Sequence, residues 1–374
     1  MAQIKKYAWY FPNWHPTPFN DKWHGKGWTE WECVKHASPR FEGHVQPKVP
    51  LWGYEDESDP KVFEKKIQAA HDHAIDGFIF DFYWFKEGPY RRECIDKGFL
   101  GAKNNELCEF SVMWCNHDPI YVHPASYKHD NPKLLDGKID PELFYEVTQF
   151  CIDNYFSKPN NQRVDGKVYF GFWNIERMVD EFGGLDGCAM IFKDFRDRAR
   201  KAGFELYIAA ANKFLFPGFQ ARNKELYEKT VDALGIDTIG NYGWPNLSAG
   251  DNWPVVEYSK VRDSFFNSID EEVAFSKIPV CMTVSTGWDS SPRTVQSDMY
   301  ENTGYPFDPI QINNTPKEVG KGFEMAKEMI ESGRSNGKML TIASWNEWTE
   351  GNYMEPDEQY GYGFLEEFKR VFGK

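Results

Sequence analysis

Met339-Leu340-Thr341-Ile342-Ala343-Ser344-Trp345-Asn346-Glu347-Trp348-Thr349-Glu350-Gly351 opens as a short apolar run with β-branched members and closes on two carboxylates set among indoles. The opening run predicts a strand buried on both faces, as in a parallel sheet. Glu347 and Glu350 then stand just past the strand's carboxyl end. In a parallel barrel that is the face where active sites are built, because the loop after every strand converges there. A pair of solvated loop charges is the plain alternative, since most loop charges are only hydrated.

Working outward, similar runs occupy residues 6–11, 78–83, 110–114, 168–173, 206–211, 238–242 and 280–285, and 339–344 completes the series. Helix-like stretches alternate with them at 60–74, 140–154, 191–202, 224–234, 255–275, 316–332 and 363–372, with an irregular one near 91–100. Pro60 and Pro141 suit first helical turns, and Gly203 suits a helix stop. Eight strand-helix units are the count of a (β/α)8 barrel, a TIM barrel of the α/β class. A doubly wound open sheet is the alternative, but it gives no reason for that count. No linker or repeat divides the chain, so residues 1–374 are expected to form one domain. Residues 13–59 break the alternation. Their tryptophans at 14, 23, 28, 31 and 52 predict a long ordered loop after the first strand, folded over the barrel mouth.

The net charge is −14, with a pI near 5.2. This balance disfavours nucleic acid and anionic membrane surfaces, which call for clustered Lys and Arg. It also speaks against acidic substrates, although Arg293 and His117 could host an acidic group locally. No apolar run reaches the ~20 residues of a bilayer span, so no membrane insertion is expected. Met1-Ala2-Gln3-Ile4-Lys5-Lys6 has no signal-peptide core. The seven widely spaced cysteines read as free thiols. The expectation is a cytoplasmic chain as it stands, or an exported one if a leader has been trimmed. Oligomeric state is not legible.

Aromatic residues are 17% of the chain, and Trp84, Trp114, Trp173, Trp244, Trp288, Trp345 and Trp348 fall at or just after predicted strand ends. Such rings suit the C–H faces of pyranoses, although packing at a wide barrel top would use them too. Polar groups share those ends: Asp81, Tyr83, Asn116, His117, Asn174, Glu176, Asn212, Tyr242, Asp289 and Arg293. With Phe78, Phe80 and Phe82 on one side of their strand, Asp81 faces the barrel axis, either for substrate hydroxyls or for a neighbouring strand. His71-Asp72-His73 lacks the i, i+4 spacing of a helical zinc site, and neither GxGxxG nor a Walker-type loop occurs. No metal and no cofactor are expected.

The series Tyr10-Phe11-Pro12, the run from Lys22 to Trp31 that includes Trp28-Thr29-Glu30, Gly43-His44-Val45-Gln46-Pro47, Asp76 to Asp81, Met113-Trp114-Cys115-Asn116, Gly287 to Arg293, Trp345 to Gly351, and Glu355-Pro356-Asp357 resembles glycoside hydrolase family 99-like proteins. It covers nearly the whole chain in order. The resemblance implies a metal-free (β/α)8 barrel acting on a carbohydrate substrate. The well-understood members are retaining endo-α-mannosidases, and many others carry the name of polysaccharide-biosynthesis glycosyltransferases. It further implies that Glu347 is the base acting on the sugar's own 2-hydroxyl, giving a 1,2-anhydro sugar, while Glu350 protonates the leaving oxygen. Such substrate assistance is a known exception to a carboxylate nucleophile. Trp345 and Trp348 would wall the acids from water and so push their pKa values apart. Tyr10, Trp28, Glu30, Asp81, Tyr83, Trp114, Asn116, His117, Tyr242, Trp288, Asp289, Arg293, Asn346 and Trp348 are the expected substrate contacts. Glu355 reads mainly as a loop-stabilising carboxylate.

The leading expectation is therefore a glycoside hydrolase, with a variant in which Glu347 pairs with Glu176 as acid and nucleophile. The alternatives are a glycosyltransferase, disfavoured by the absence of an Asp-x-Asp triplet, and a sugar-binding protein without turnover.

Overall fold

The computed structural model describes residues 4–244 and 247–373. Residues 1–3 of the amino-terminal stretch read above lie outside this set. Eight parallel strands form the barrel: β1 (Lys5–Tyr10), β2 (Gly77–Phe85), β3 (Glu109–Trp114), β4 (Lys167–Phe172), β5 (Leu206–Ala210), β6 (Thr238–Gly240), β7 (Val280–Ser285) and β8 (Met339–Ala343). The ring closes because β1 pairs with β2 through Tyr7↔Gly77 and with β8 through Lys5↔Met339. Each predicted run becomes a barrel strand.

The outer helices start where side-chain caps take up free backbone donors. Asp59 and Asp140 cap Pro60–Asp72 and Pro141–Asn154, and Thr315 caps Pro316–Glu331, each with proline in the first turn. The fourth unit's helix, Leu185–Lys201, starts well before the expected 191. Gly183, Gly184 and Gly187 hid its first turns from the periodic pattern. In the second unit a wide turn, Cys94–Phe99, replaces a regular helix; Leu100 N–H donates to the Ile95 carbonyl at 2.9 Å. A side chain at Gly98 would collide with the Glu57 carbonyl and the Phe63 ring, so glycine lets this turn press against its neighbours.

Alternation along the strands decides which side chains can reach the site. On β2, Phe78, Phe80 and Phe82 face outward, where Phe80 meets Phe99 at 5.3 Å, while Asp81 turns to the axis. On β1, Trp9 turns inward to Tyr242 and Tyr10 packs outward on Phe63, Phe78 and Phe80.

The loop after β1 is ordered and lies over the mouth. Trp14 packs on Trp31 at 4.1 Å, and the Asn13 amide donates to Glu30 at 2.6 Å. Arg40 donates to the Gln296 and Asp298 carbonyls, both at 3.0 Å, joining this loop to the one after β7. That loop is in turn stitched to the loop after β3: Ala125 N–H donates to Arg293 and Val295 N–H to Ala125, both at 2.7 Å. Six of the seven cysteines are buried and all seven are free thiols.

Candidate active site

A cavity of about 520 Å³ opens at the carboxyl ends of the strands, within the ~300–1,000 Å³ usual for ligand sites. Glu347 and Glu350 are both on its wall. Past β8 the chain folds into a small hairpin, with Asn346 opposite Tyr353 and Glu347 opposite Asn352. Its turn closes at Gly351, φ 61°. A side chain there would press on Asp289 at 2.8 Å, so glycine lets the β8 loop sit directly on the β7 loop. The β7 loop carries Arg293.

Arg293 organises the acids. Its guanidinium donates to Glu347 at 2.7 Å, also hydrogen-bonds Glu350, and reaches Glu30 at 2.9 Å and Thr349 at 3.0 Å. The Tyr305 hydroxyl donates to the same Glu350 oxygen at 3.0 Å. Glu350 Oε2 has no hydrogen-bond partner among the described residues. The Tyr242 hydroxyl lies 2.9 Å from Glu347 Oε2 and 3.0 Å from Asp81 Oδ2. One phenolic hydrogen cannot serve two carboxylates, so a proton shared with one of them completes the bridge.

Burial pushes Glu347 well up, the charge of Glu350 adds to it, and Arg293 opposes both. Burial also raises Glu350, against Arg293 and the Tyr305 hydroxyl. Asp81, with no cation bonded to it, is raised well above the usual range by burial. Glu30 differs: burial would raise it, but Arg293 and then His123 hold it well below the ordinary value. Burial lowers His117 and His123, keeping both imidazoles neutral at neutral pH. Both glutamates are thus pushed up, so burial does not by itself say which is the ionised base. The Tyr242 bridge offers a way to keep Glu347 ionised. With the proton on Asp81, Asp81 donates to Tyr242 and Tyr242 donates to an ionised Glu347.

This arrangement has a stability signature. A raised folded-state pKa makes Asp81's contribution to stability complete below its unfolded value of ~3.9 and lost as pH rises through the folded value. Asp81→Asn cannot ionise, so its melting temperature is expected to match wild type near pH 4 and exceed it at pH 8. Parallel melting curves at the two pH values check this.

Of the expected contacts, Asp81, Tyr83, His117, Tyr242, Trp288 and Arg293 line the cavity with the two glutamates. Glu30 lies just behind, bonded to Arg293. Trp28 stacks on His24 at 4.0 Å beside His123, itself a lining residue. Asp289 faces a neighbouring pocket of about 170 Å³ and is held by His44 at 2.8 Å and Gln46 at 2.6 Å; Trp288 borders both pockets.

Besides Trp28, Glu30 and Asp289, five more expected contacts are off the wall. Tyr10 is on the outward side of β1, with its hydroxyl on Glu57 at 2.7 Å. Trp114 is likewise outward on β3, stacked on Phe144. Asn116 bridges to Asn174, donating to its carbonyl at 2.7 Å. Asn346 is pinned to Phe11, accepting from its N–H at 2.8 Å. Trp348 stacks on Tyr353 at 3.8 Å and donates to Glu355 at 2.7 Å. The expected indole wall from Trp345 and Trp348 is thus corrected, because the hairpin turns both rings into the core. Trp173, Trp244 and Trp288 line the cavity instead. Glu355 holds Lys66 at 2.6 Å, a loop-stabilising role. Glu176 is solvent-exposed and not on the wall, which removes it as a partner for Glu347. Glu176→Gln is expected to leave turnover unchanged and stability within about 0.5 kcal/mol, checked by steady-state rates and melting. Sequence reasoning missed Arg91, His123 and Tyr305. Arg91 falls at the start of the irregular helix-like stretch expected near 91–100 but lies ahead of the Cys94–Phe99 turn with φ 64°; His123 and Tyr305 sit in aperiodic loops, where the His123-Pro124 and Tyr305-Pro306 pairs gave only a turn signal.

Fold and site together define a (β/α)8 barrel with a carboxylate-bearing cavity at the carboxyl ends of its strands. The chain belongs to the family described as Glycosyltransferase WbsX, which matches it over residues 6–368. Among curated relatives, the uncharacterized protein WxcX of Xanthomonas campestris pv. campestris (strain B100) is 24% identical over 387 residues, covering 96% of this chain and 48% of that protein. The chain thus spans about half the length of the curated relatives it matches. Among solved structures, a glycoside hydrolase-like protein aligns with TM-score 0.63 at 16% identity, over 100% of this chain and 94% of that one. The family 99 endo-α-mannosidase of Bacteroides thetaiotaomicron aligns with TM-score 0.58 at 14% identity, over 99% and 98%. At these identities the likeness establishes the fold.

Proposed function

We propose that this chain is a glycoside hydrolase in which Glu347 and Glu350 cleave a glycosidic bond with help from the substrate's 2-hydroxyl. The observation that carries the reading is the pair of buried glutamates bonded to one guanidinium on the wall of a glycan-sized cavity. Ionised Glu347 takes the proton of the 2-hydroxyl, and that oxygen attacks the anomeric carbon as the bond to the leaving oxygen breaks. Glu350 gives its proton to the departing oxygen, leaving a 1,2-anhydro sugar. Water then opens the three-membered ring at the anomeric carbon, losing a proton to Glu350 while Glu347 returns one to the 2-oxygen. Two inversions give net retention. Asp81, with an unpartnered buried Oδ1, is suited to accept a substrate hydroxyl, and the cavity indoles to stack on sugar faces.

The family description favours a second reading, transfer to another sugar. The same intermediate would be opened by an acceptor hydroxyl in place of water. Incubation with bacterial and plant polysaccharides, with and without nucleotide sugars, separates the two. New reducing ends that are lost in Glu350→Gln support hydrolysis. Chain extension that needs a nucleotide sugar would overturn it.

A further inference from the structure

β2 runs past the barrel rim and turns back at Gly88, φ 118°, so that Tyr83 pairs with Tyr90 and the next residue, Arg91, is delivered to the cavity. Arg91 is 7% exposed and adopts φ 64°, a left-handed conformation that costs a non-glycine residue energy. Its guanidinium carbon lies 4.7 Å from the Phe11 and Tyr83 ring centroids and 4.3 Å from that of Tyr90. Its Nε is buried without a hydrogen-bond partner, and it makes no ion pair among the described residues. The neighbouring Tyr90 hydroxyl is neutral and donates to Asn20 at 2.7 Å, and the carboxylates of Glu30 and Asp81 act on Arg91 only across space, without bonding it. Arg293, the other arginine on the wall, is taken up by three glutamates. A buried cation without a bonded counter-charge is expensive, and packing alone would be served by an apolar side chain.

We propose that Arg91 seats a carboxylate of the substrate, so that the glycan cleaved here contains an acidic sugar of the uronic acid class. Rings crowd the guanidinium, and its remaining in-plane donors match the planar, bidentate geometry of a carboxylate. A dianionic phosphate fits less well, because Asp81, Glu347 and Glu350 share the same wall and no lysine lines it. This revises the expectation, drawn from net charge, that acidic groups are disfavoured: the local charge at one side chain outweighs the overall sum.

The inference rests on the glycosidase reading of the cavity, yet fails separately from it. Titration calorimetry would compare oligosaccharides of glucuronic, galacturonic and mannuronic acid with their methyl esters, using the full chain, Arg91→Gln and Arg91→Lys. At least one acid is expected to bind wild type tenfold or more tighter than its ester. The preference should vanish in Arg91→Gln and survive in part in Arg91→Lys, with melting curves confirming that each variant folds. Should Arg91→Gln not fold, the wild-type and Arg91→Lys comparisons still decide. Equal binding of every acid and its ester, or an unchanged preference in Arg91→Gln, overturns the proposal. So does Arg91-dependent binding of glucose 1-phosphate with no response to uronates. Cleavage of a neutral glycan, lost in Glu350→Gln and untouched by Arg91→Gln, sinks this inference alone. Preference for acid over ester without any bond cleavage sinks the hydrolase reading alone.

Discussion

Glu350→Gln is expected to lower kcat/KM on an unactivated glycoside by about 10²–10⁴-fold, the usual worth of a positioned general acid. On a dinitrophenyl glycoside the loss should shrink to about tenfold or less, because that leaving group departs without a proton. Glu347→Gln should lose activity on both substrates, since an amide cannot take the 2-hydroxyl proton whatever the leaving group. Steady-state rates of the two variants on the two substrates give a two-by-two comparison, and the difference between its rows assigns the roles. Full activity of Glu350→Gln on the unactivated glycoside would remove that residue from the chemistry. If the leaving-group effect appears in Glu347→Gln instead, the acid and base exchange places, as the upward push that burial puts on both allows.

Arg293→Met is expected to be the most damaging single change to stability. The guanidinium is 5% exposed and is the shared cation of Glu30, Glu347 and Glu350. Removing one partner of a buried charge cluster costs about 3–5 kcal/mol, since the remaining charges lose their compensation. At ~2 °C per kcal/mol for a large domain, the melting temperature should fall by roughly 6–10 °C at neutral pH. The sign with pH follows from Glu30, which is held well below its ordinary value. Its ion pair stabilises the fold above the unfolded value of ~4.3, and that contribution is lost as pH falls through the lowered folded value. The gap between variant and wild type is therefore widest near pH 7 and closes in acid. A melting series across pH checks both size and trend, and a gap that widens on acidification would contradict the assignment.

Much of the fold was legible. Strands buried on both faces leave near-continuous apolar runs, and eight of these with intervening helices leave little but a barrel. The turn at Cys94–Phe99 was not legible in detail, because its packing depends on Gly98 lying against Glu57 and Phe63, which are distant in sequence. At the site, strand alternation was the dependable guide. It placed Asp81 on the axis, and the same rule puts Tyr10 and Trp114 on the outer side of their strands. The tryptophans misled more, since an indole at a strand end can face the mouth or the helices equally well. Trp288 does the first and Trp114 the second. Arg91 left no trace in any periodic pattern. Its position comes from a hairpin that carries it back beneath three aromatic rings.

The pairing of Lys5 with Met339 means that β1, joined early to β2, waits for its second neighbour until the eighth strand has left the ribosome. Both glutamates ride on the segment that closes the ring. A nascent chain halted before that point is missing its last stave and both acids together, so the carboxylate pair cannot assemble before the scaffold is complete.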